Sequence, residues 1–277
     1  MLKVWFITGS SRGLGRSLVE VVLAGGGLVA AAARKPEQLS ELAAQYPDQL
    51  ELIQLDVTDP EQIGAAVAQA IKKFDRIDVL VNNAGIGVLG AAEAYTDEQV
   101  RSQLETNLYA PIALTRLVLP HMRKQRSGRI LQISSVGGRT GNPALTVYQA
   151  AKFGLTGFSE ALAKEVRPLG IWVTSVEPGG LRTSIFADMD TAPDIEGYET
   201  SVGQRVAQFK SSTFIAKSDP AKAAKALFEL AEHPEPPIHL ILGSDAVARI
   251  KQADAERNKE MEEWLEVSLS SDADEKD

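Results

Sequence analysis

Short apolar runs alternate along this chain with longer segments in which apolar residues recur every three or four positions. Strand-like runs alternating with helical spacing are typical of α/β domains built on a parallel sheet. We therefore predict an α/β fold with a single doubly wound parallel sheet and helices on both faces. The predicted strands cover residues 4–7, 28–33, 50–57, 77–81, 129–134, 171–176 and 238–243.

The first strand runs into a glycine-rich turn, and a helical pattern follows directly. The turn reads Thr8-Gly9-Ser10-Ser11-Arg12-Gly13-Leu14-Gly15, with the spacing Gly-x-x-x-Gly-x-Gly. Glycines let the backbone approach a pyrophosphate, and the helix N-terminus presents free N–H groups and the positive end of the helix dipole. Strand, turn and helix together predict a Rossmann-type nucleotide-binding unit. The residues predicted to contact the cofactor here are Gly9, Ser11, Arg12, Gly13 and Leu14.

The end of the second strand indicates which cofactor binds. A cofactor with a free ribose 2′-hydroxyl usually meets an acidic residue about 20 residues beyond the glycine turn. Here that zone reads Ala32-Ala33-Arg34-Lys35, and Arg12 offers a second guanidinium near the same corner. Two cations and no carboxylate favour a 2′-phosphate, so we predict NADP(H), with NAD(H) as the alternative. The alternative is that both arginines are ordinary surface residues that do not contact the cofactor.

Polar residues follow two further strands, at the edge where parallel strands end and ligands bind. Asp56 and Val57 close the third strand, and Asp56 is expected either to contact an adenine edge or to cap the next helix. Asn82-Asn83-Ala84-Gly85 follows the fourth strand. We expect its amides to tie neighbouring strands together, and its last three residues to contact the cofactor.

Tyr148 and Lys152 stand four residues apart at the start of a helical pattern. Residues at this spacing project from the same side of a helix. A phenol has a reference pKa of about 10, and an adjacent ammonium lowers that pKa because it favours the phenolate. The pair therefore predicts a general acid or base. A Tyr-x-x-x-Lys pair also occurs by chance in many helices, so the prediction depends on the rest of the chain.

Two further polar residues bear on this chemistry. Ser135 directly follows the fifth strand, 13 residues before Tyr148, and its hydroxyl is expected to hold a substrate oxygen near the phenol. Asn107 interrupts a long predicted helix over residues 97–123, where asparagine is unfavourable. It is either a tolerated surface residue or the point at which the helix bends around a bound water.

Composition narrows the remaining classes of function. The chain has 277 residues, 44% of them apolar, with no cysteine and three scattered histidines, so thiol chemistry is excluded and no metal is expected. No apolar run is long enough for a membrane span and no signal-peptide pattern precedes the first strand, so we expect a cytoplasmic protein. Most of the net charge of −8 lies in residues 254–277, which hold ten acids and three bases. The remainder is near neutral and indicates no nucleic-acid partner.

We expect a catalytic domain over residues 1–245 and a C-terminal helical extension with an acidic tail over residues 246–277. Within the domain, residues 184–214 show no strand pattern and are long for a connection, which predicts a lid over the substrate. The lid's apolar side chains either cover an apolar substrate or pack against the rest of the domain as ordinary core residues. They are Ile185, Phe186, Met189, Tyr198, Val202, Val206 and Phe209.

Taken in chain order, these residues resemble the short-chain dehydrogenase/reductase family in its compact single-domain branch. The resemblance extends over residues 4–245. Within it, residues 75–85, 154–165 and 177–179 are most similar to 17β-hydroxysteroid and retinol dehydrogenases, a likeness that does not define a substrate. The matching residues are Thr8, Gly9, Gly13, Gly15, Asp56, Val57, Asn82, Asn83, Ala84, Gly85, Asn107, Ser135, Tyr148, Lys152, Pro178, Gly179 and Thr183.

The resemblance implies a role for each catalytic residue. Tyr148 is implied to be the general acid or base, and Lys152 to lower the phenol pKa and to bind the nicotinamide ribose. Ser135 is implied to orient the substrate oxygen. Asn107 is implied to hold a water that relays protons to Lys152.

The resemblance also implies the reaction and the partners. Hydride passes between the nicotinamide and a small-molecule substrate, which interconverts a secondary alcohol and a ketone or an aldehyde. Pro178 and Gly179 are implied to border the nicotinamide ring, and Thr183 to bind its carboxamide or the phosphates. Family members often pair through the helices that carry Asn107 and Tyr148, which implies a homodimer or a homotetramer.

Other classes of protein share this type of fold. A redox-sensing regulator would bind the cofactor without turnover, but such proteins typically lack the tyrosine. An enoyl reductase would space the tyrosine and the lysine more widely. A sugar-nucleotide epimerase would have a different glycine turn and a longer C-terminal domain. We therefore expect an alcohol dehydrogenase or a ketone reductase.

Overall fold

A seven-stranded parallel sheet forms the centre of the molecule. The computed structural model describes residues 2–211 and 216–273. Within them the sheet contains β1 (Val4–Thr8), β2 (Leu28–Ala33), β3 (Leu50–Gln54), β4 (Val79–Asn82), β6 (Gly128–Ile133), β7 (Ile171–Pro178) and β9 (His239–Leu242). Their order across the sheet is β3-β2-β1-β4-β6-β7-β9. A second, two-stranded parallel sheet pairs β5 (Val88–Leu89) with β8 (Asp190–Thr191).

Helices cover both faces of the large sheet. In the described part of the chain they are α1 (Gly13–Ala24), α2 (Ser40–Gln45), α3 (Pro60–Phe74), α4 (Asp97–Leu104), α5 (Ala110–Gln125), α6 (Thr146–Val166), α7 (Ile185–Asp188), α8 (Gln204–Lys210), α9 (Pro220–Glu232), α10 (Ser244–Glu263) and α11 (Leu265–Leu269). Residues of α1 and α9 form one apolar cluster with Trp5 and Ile7, whereas residues of α3, α5 and α6 form another with Phe6. Adjacent residues of β1 thus point to opposite layers, and the predicted doubly wound fold is confirmed.

β2 is an interior strand although its sequence is poor in strand-forming residues. Residues 30–33 are all alanines, and all of them are buried. β2 pairs in parallel with β1 on one side and with β3 on the other. The pairing on both edges therefore determines this strand, because intrinsic strand propensity is weak compared with tertiary context.

The strand order reverses between β1 and β4, and this reversal positions the site. In open α/β sheets a ligand crevice forms at such a point, outside the carboxyl ends of the strands. β1 ends at Thr8, directly before the glycine turn, and β4 ends at Asn82. Both predicted cofactor-binding loops therefore meet at one edge of the sheet.

Several predicted boundaries differ from the structure. β3 ends at Gln54 rather than at residue 57, because the chain turns at Asp56. The lid contains β8, although its sequence shows no strand pattern. The C-terminal helix begins at Ser244 rather than at residue 246. Lid residues 212–214 and tail residues 274–277 lie outside the described residues.

No helix of the described residues is long and apolar enough to cross a membrane. The same residues contain no group of three or more metal-ligating side chains in an arrangement that would hold an ion.

Candidate active site

A cavity of about 1120 Å³ opens beyond the carboxyl ends of β1 and β4. The glycine turn, the strand ends, α6 and the lid all contribute to its wall. Asn107 does not line the cavity and lies behind that wall. The predicted site residues that line it are Gly9, Ser11, Arg12, Gly13, Leu14, Arg34, Asp56, Val57, Asn83, Ala84, Gly85, Ser135, Tyr148, Lys152, Pro178, Gly179 and Thr183.

The glycine turn leaves room for a phosphate group at the start of α1. Gly9 and Gly13 have φ values of 62° and 56°, in the left-handed region that favours glycine. A Cβ atom on Gly15 would lie 2.3 Å from the Gly9 carbonyl oxygen, so the turn and the helix approach closely. No side chain of the described residues caps α1, and its first N–H groups are unpaired within the helix. These residues therefore fit the pyrophosphate of a dinucleotide.

The two asparagines after β4 brace this edge of the sheet. Asn82 Nδ2 donates to Gln132 Oε1 at 2.9 Å, which joins β4 to β6. Asn83 Nδ2 donates to the carbonyl oxygens of Thr8 and Gly9 at 2.9 and 3.2 Å. The amides therefore tie neighbouring strands together, as predicted, and Asn83 holds the glycine turn against the end of β4.

The two arginines that were expected to share the 2′-phosphate corner have different surroundings. The Arg12 guanidinium forms an ion pair with the carboxylate of Asp188 in the lid, and its Nη1 lies 3.4 Å from Ser184 Oγ. The charge of Arg12 is therefore paired with a carboxylate of the lid. Arg34 is exposed at that end and lines the cavity, with Lys35 beside it.

Asp56 makes local hydrogen bonds at the cavity wall. Its Oδ1 accepts from the N–H and the hydroxyl of Thr58, at 2.9 and 2.7 Å. The cap of α3 is Asp59, whose carboxylate accepts from the N–H groups of Glu61 and Gln62. The predicted capping role of Asp56 is therefore wrong, and its contact with an adenine stays a prediction.

Tyr148 and Lys152 project together from the first two turns of α6. The Lys152 Nζ atom lies 5.8 Å from the centroid of the Tyr148 ring. It donates a hydrogen bond of 2.8 Å to the carbonyl oxygen of Ile133, at the end of β6. Lys152 is only 4% exposed, so its ammonium is held between the helix and the sheet at a fixed distance from the phenol.

Burial is the largest cause of the pKa shifts of Tyr148 and Lys152. It raises the pKa of Tyr148, an effect that a hydrogen bond with the Ser135 hydroxyl partly offsets. It lowers the pKa of Lys152 to about 8. Desolvation disfavours the phenolate, and Lys152 Nζ donates to a backbone carbonyl rather than to the phenol, so a lowering of the phenol pKa by Lys152 stays a prediction.

The two serines after β6 have different surroundings. Ser135 lines the cavity, and its Oγ accepts from the N–H of Gly137 at 3.0 Å. Ser134 is buried, and its Oγ donates to the Lys152 carbonyl oxygen at 3.2 Å and bonds to Thr156 Oγ1 at 2.8 Å. Ser135 is therefore the serine that reaches the phenol, while Ser134 fixes α6 to the end of β6.

Asn107 lies in a π-helical turn, Glu105–Tyr109, between α4 and α5. Its side chain is fully buried, which rules out the surface position considered above. Its Nδ2 donates to the carbonyl oxygen of Ile86 at 2.9 Å, and its Oδ1 accepts from the N–H of Ile86 at 3.1 Å. The helix widens at Asn107 so that the amide can hold the loop after Gly85.

The lid covers the cavity with apolar side chains around the phenol of Tyr148. Phe186 and Phe209 stack with their ring centroids 4.9 Å apart. The predicted Tyr198 and Val202 are not members of this cluster. Its members from the lid and the body are Leu89, Leu145, Tyr148, Ile185, Phe186, Met189, Val206 and Phe209.

Several polar residues of the cavity wall were not singled out from the sequence, and five examples come from α6, a loop, the lid and α10. Gln149 follows Tyr148 directly, but the others come from a loop, the lid and α10. No motif or spacing marks them, so only the folded chain brings them to the site. The five examples are Asn142, Gln149, Arg205, Asp245 and Arg249.

Comparison with known proteins identifies relatives of this chain. A family model described as short chain dehydrogenase matches residues 3–194. The oxidoreductase BOA17 of Botryotinia fuckeliana is 41% identical over 273 residues, which cover 98% of this chain and 100% of that protein. A 3-ketodihydrosphingosine reductase of Bacteroides thetaiotaomicron is 34% identical over 246 residues, which cover 87% of this chain and 88% of that protein.

The fold comparison agrees with the sequence comparison. A short-chain dehydrogenase from Streptomyces avermitilis matches with a TM-score of 0.91 and 39% identity, over 99% of this chain and 100% of that one. The seven-stranded parallel sheet and its flanking helices are therefore shared over nearly the whole length. The chain belongs to the short-chain dehydrogenase family and is an NAD(P)-dependent oxidoreductase.

Proposed function

We propose that this protein interconverts a secondary alcohol and a ketone, or a primary alcohol and an aldehyde, with NADP(H) as its preferred cofactor. The substrate is a small molecule with an apolar portion that lies under the lid. One observation carries the proposal: Ser135, Tyr148 and Lys152 line the same cavity as the glycine turn. Nothing else in the described chain combines a proton donor, an oxygen-orienting hydroxyl and a phosphate-binding turn.

The chain's own residues perform the proton chemistry. A bound nicotinamide supplies or accepts the hydride. Because burial raises its pKa, the Tyr148 phenol is protonated near neutral pH and can donate to a carbonyl oxygen during reduction. The Ser135 hydroxyl orients that oxygen, and the ammonium of Lys152 stabilises the phenolate that develops. The apolar side chains of the lid exclude water from the reacting atoms.

Asn107 acts in this proposal as a positioning residue. Its amide fixes the backbone of Ile86, and its Oδ1 would lie 3.0 Å from a Cβ atom on Gly85. A Cβ atom on Gly85 would also lie 3.8 Å from Lys152 Nζ, so this loop forms the wall next to the ammonium. A water on Asn107 that relays protons to Lys152 remains a prediction.

The preference for NADP(H) depends on the end of β2. Arg34 and Lys35 line the cavity there, and no acid of the described chain occupies the position where a carboxylate would bind a 2′-hydroxyl. Arg12 lines the cavity but pairs with Asp188, so Arg34 provides the main contact to a 2′-phosphate. An NAD(H) preference is the alternative.

We also propose that the protein forms a homodimer or a homotetramer through α4, α5 and α6. Large apolar side chains are exposed on these helices and on the π-helical turn between them. They are Leu104, Tyr109, Leu117 and Phe153. Burying them against a second copy would remove apolar surface from water.

The proposed catalytic domain, residues 1–245, and the extension, residues 246–277, both contribute to the cavity. Asp245 of the domain and Arg249 of the extension line it.

An absorbance assay of NADPH consumption against a panel of ketones and aldehydes tests the proposed reaction. The 3-ketodihydrosphingosine reductase among the relatives is a reason to include 3-keto compounds with long apolar chains. We expect turnover with at least one apolar ketone and the reverse reaction with its alcohol. Tight NADPH binding without turnover across the panel would instead favour the cofactor-binding regulator.

A further inference from the structure

The cavity is strongly cationic although the protein is acidic. The whole chain has a net charge of −8. Among the residues that the structure describes, seven cationic and two acidic side chains line the cavity. Four of the cations are accounted for by the proposed cofactor site and by catalysis: Arg12, Arg34, Lys35 and Lys152. The others are Arg205, Lys217 and Arg249.

Arg249 reaches the catalytic centre from α10. Its guanidinium donates to the side-chain oxygen of Asn142. The N–H of Asn142 donates to Gln149 Oε1 at 2.8 Å, and Gln149 is the neighbour of Tyr148 in α6. This short chain of contacts positions the Arg249 charge beside the first turn of α6.

Arg205 approaches the same region from the lid helix α8. Its guanidinium carbon lies 4.5 Å from the centroid of the Phe209 ring, and Phe209 packs in the apolar cluster that includes Tyr148. Its Nη1 donates to Gln208 Oε1 at 2.5 Å, whereas its Nε is buried and has no hydrogen-bond partner in the described chain. Both guanidinium groups therefore line the cavity that contains the phenol, one from the lid and the other from the C-terminal helix.

The two arginines have no carboxylate partner at ion-pair distance among the described residues. Neither forms an ion pair with a described carboxylate, whereas other arginines of the chain do. Burial and the positive charge of Arg249 both lower the pKa of Arg205. Asp245 is the acid of this part of the wall, and its Oδ2 accepts from the N–H of Gly180 at 3.0 Å. Two neighbouring, partly desolvated cations favour an added anion.

We propose that Arg205 and Arg249 bind an anionic group, a carboxylate or a phosphate, at the non-reacting end of the substrate. The inference rests on the proposed function and refines it: the substrate is a ketone or an alcohol with an apolar portion and an anionic end. Guanidinium groups suit this role because their planar donors match carboxylate and phosphate oxygens. The apolar cluster of the lid adjoins this subsite, because the Arg205 guanidinium lies over the Phe209 ring.

Matched substrates test the subsite. At each chain length we would compare a keto acid, its neutral methyl ester, a keto phosphate ester and a keto amine, and measure kcat/KM with NADPH. We expect one of the anions to exceed the neutral ester by about tenfold or more, the size of a charge-assisted hydrogen bond, and the amine to be the poorest. The better of the two anions identifies the group that the subsite prefers.

Variants show whether these residues cause the preference. Arg205→Gln and Arg249→Gln should each lower kcat/KM for the anionic substrate about tenfold and leave the neutral ester nearly unchanged. Lys251→Gln is the matched control, because Lys251 is an exposed cation on the same helix as Arg249. An anion preference that Lys251→Gln reduces as much as Arg249→Gln would reflect general charge and overturn the inference.

A binding measurement separates this inference from the proposed function. Calorimetry with a fatty carboxylate and the alcohol of equal length reports on the subsite without turnover. If ketones are reduced but acid and ester behave alike, the subsite is wrong and the reaction stands. If no ketone is reduced but the carboxylate binds more tightly than the alcohol and Arg249→Gln removes the difference, the subsite stands and the reaction is wrong.

Discussion

Tyr148 and Lys152 share one buried turn, yet burial shifts their pKa values in opposite directions. Removal from water penalises the charged form of each group, so the pKa of the phenol rises and the pKa of the ammonium falls to about 8. Both groups are pushed toward their neutral forms. The phenol is therefore a proton donor near neutral pH, while the lysine loses its proton far more easily than a lysine in water.

The lowered lysine pKa predicts a pH-dependent stability. Below pH 8 the folded and unfolded states both carry the proton, and the folded state bears the cost of a buried charge. Between about pH 8 and 10.5 the folded state loses this proton first, so the cost disappears as pH rises. Relative to wild type, Lys152→Met should therefore be more stabilising at about pH 7 than at about pH 10, by roughly 2 kcal/mol. Urea denaturation at the two pH values measures the difference, and a pH-independent difference would contradict the buried charge.

The predicted preference for NADP(H) over NAD(H) depends on a contact between Arg34 and the 2′-phosphate. Removing its guanidinium with Arg34→Ala should raise KM for NADPH about tenfold, the usual effect of losing a charge-assisted contact, and should leave KM for NADH nearly unchanged. NADH is the internal control, because it lacks the 2′-phosphate. Equal changes for both cofactors, or a wild type that prefers NADH, would refute the NADP(H) assignment.

The unit of β1, the glycine turn and α1 depends on close backbone contact. A Cβ atom on Gly15 would lie 2.3 Å from the Gly9 carbonyl oxygen, whereas one on Gly64 in α3 would meet no atom within 4 Å. Only the first of these two glycines is therefore required by packing.

This contrast predicts opposite effects of one substitution. Gly15→Ala should lower the free energy of unfolding by about 1–3 kcal/mol and weaken dinucleotide binding, because the backbone must shift. Gly64→Ala should raise the free energy of unfolding by about 0.5–1 kcal/mol, because alanine favours a helix. Urea denaturation of both variants, with a cofactor titration, measures the effects. A neutral Gly15→Ala would show that the turn tolerates a side chain.

Prediction from the sequence succeeded where one element carries a local signal. The period of apolar residues predicted the alternation of strands and helices, and the spacing of Tyr148 and Lys152 predicted their common side of α6. The widened turn at Asn107 was indicated by an unfavourable polar residue in a helix. The alanine strand β2 could be placed only because its neighbours were recognised, since its own propensity is low.

The remaining features arise from contacts between distant parts of the chain. The pairing of β8 with β5 fixes part of the lid, although only two residues of each strand take part. The ion pair of Arg12 with Asp188 joins residues 176 positions apart. Arg249 reaches Asn142 across 107 positions. No local pattern encodes such contacts, so the polar wall residues at the substrate end of the cavity could not be derived from the sequence, although the apolar lid residues could.

At the scale of the whole molecule, four regions of the chain contribute residues to one site. These regions are the N-terminal turn, α6, the lid and the start of α10. Outside the site, exposed apolar side chains mark where a second copy is expected. Tyr109 and Phe153 are 51% and 41% exposed on the proposed interface, whereas Trp264 is 64% exposed at the end of α10.

These exposed side chains give a test of assembly. Tyr109→Glu and Phe153→Glu should each shift the sedimenting species toward the monomer, because a charge would be buried in the interface. Trp264→Glu is the control for an added surface charge and should keep the oligomer. A wild-type monomer at all accessible concentrations, or an oligomer that only Trp264→Glu disrupts, would contradict the proposed interface.

The proposed reaction requires the phenol of Tyr148 to exchange a proton beside the bound dinucleotide. The most direct measurement is the single-turnover rate of NADPH oxidation by Tyr148→Phe, with a ketone that the wild type reduces and with cofactor saturating. We predict unchanged NADPH affinity and a rate lower by about 10²–10⁴-fold, the usual contribution of a general acid. A Tyr148→Phe enzyme that oxidises NADPH at the wild-type rate would contradict the account.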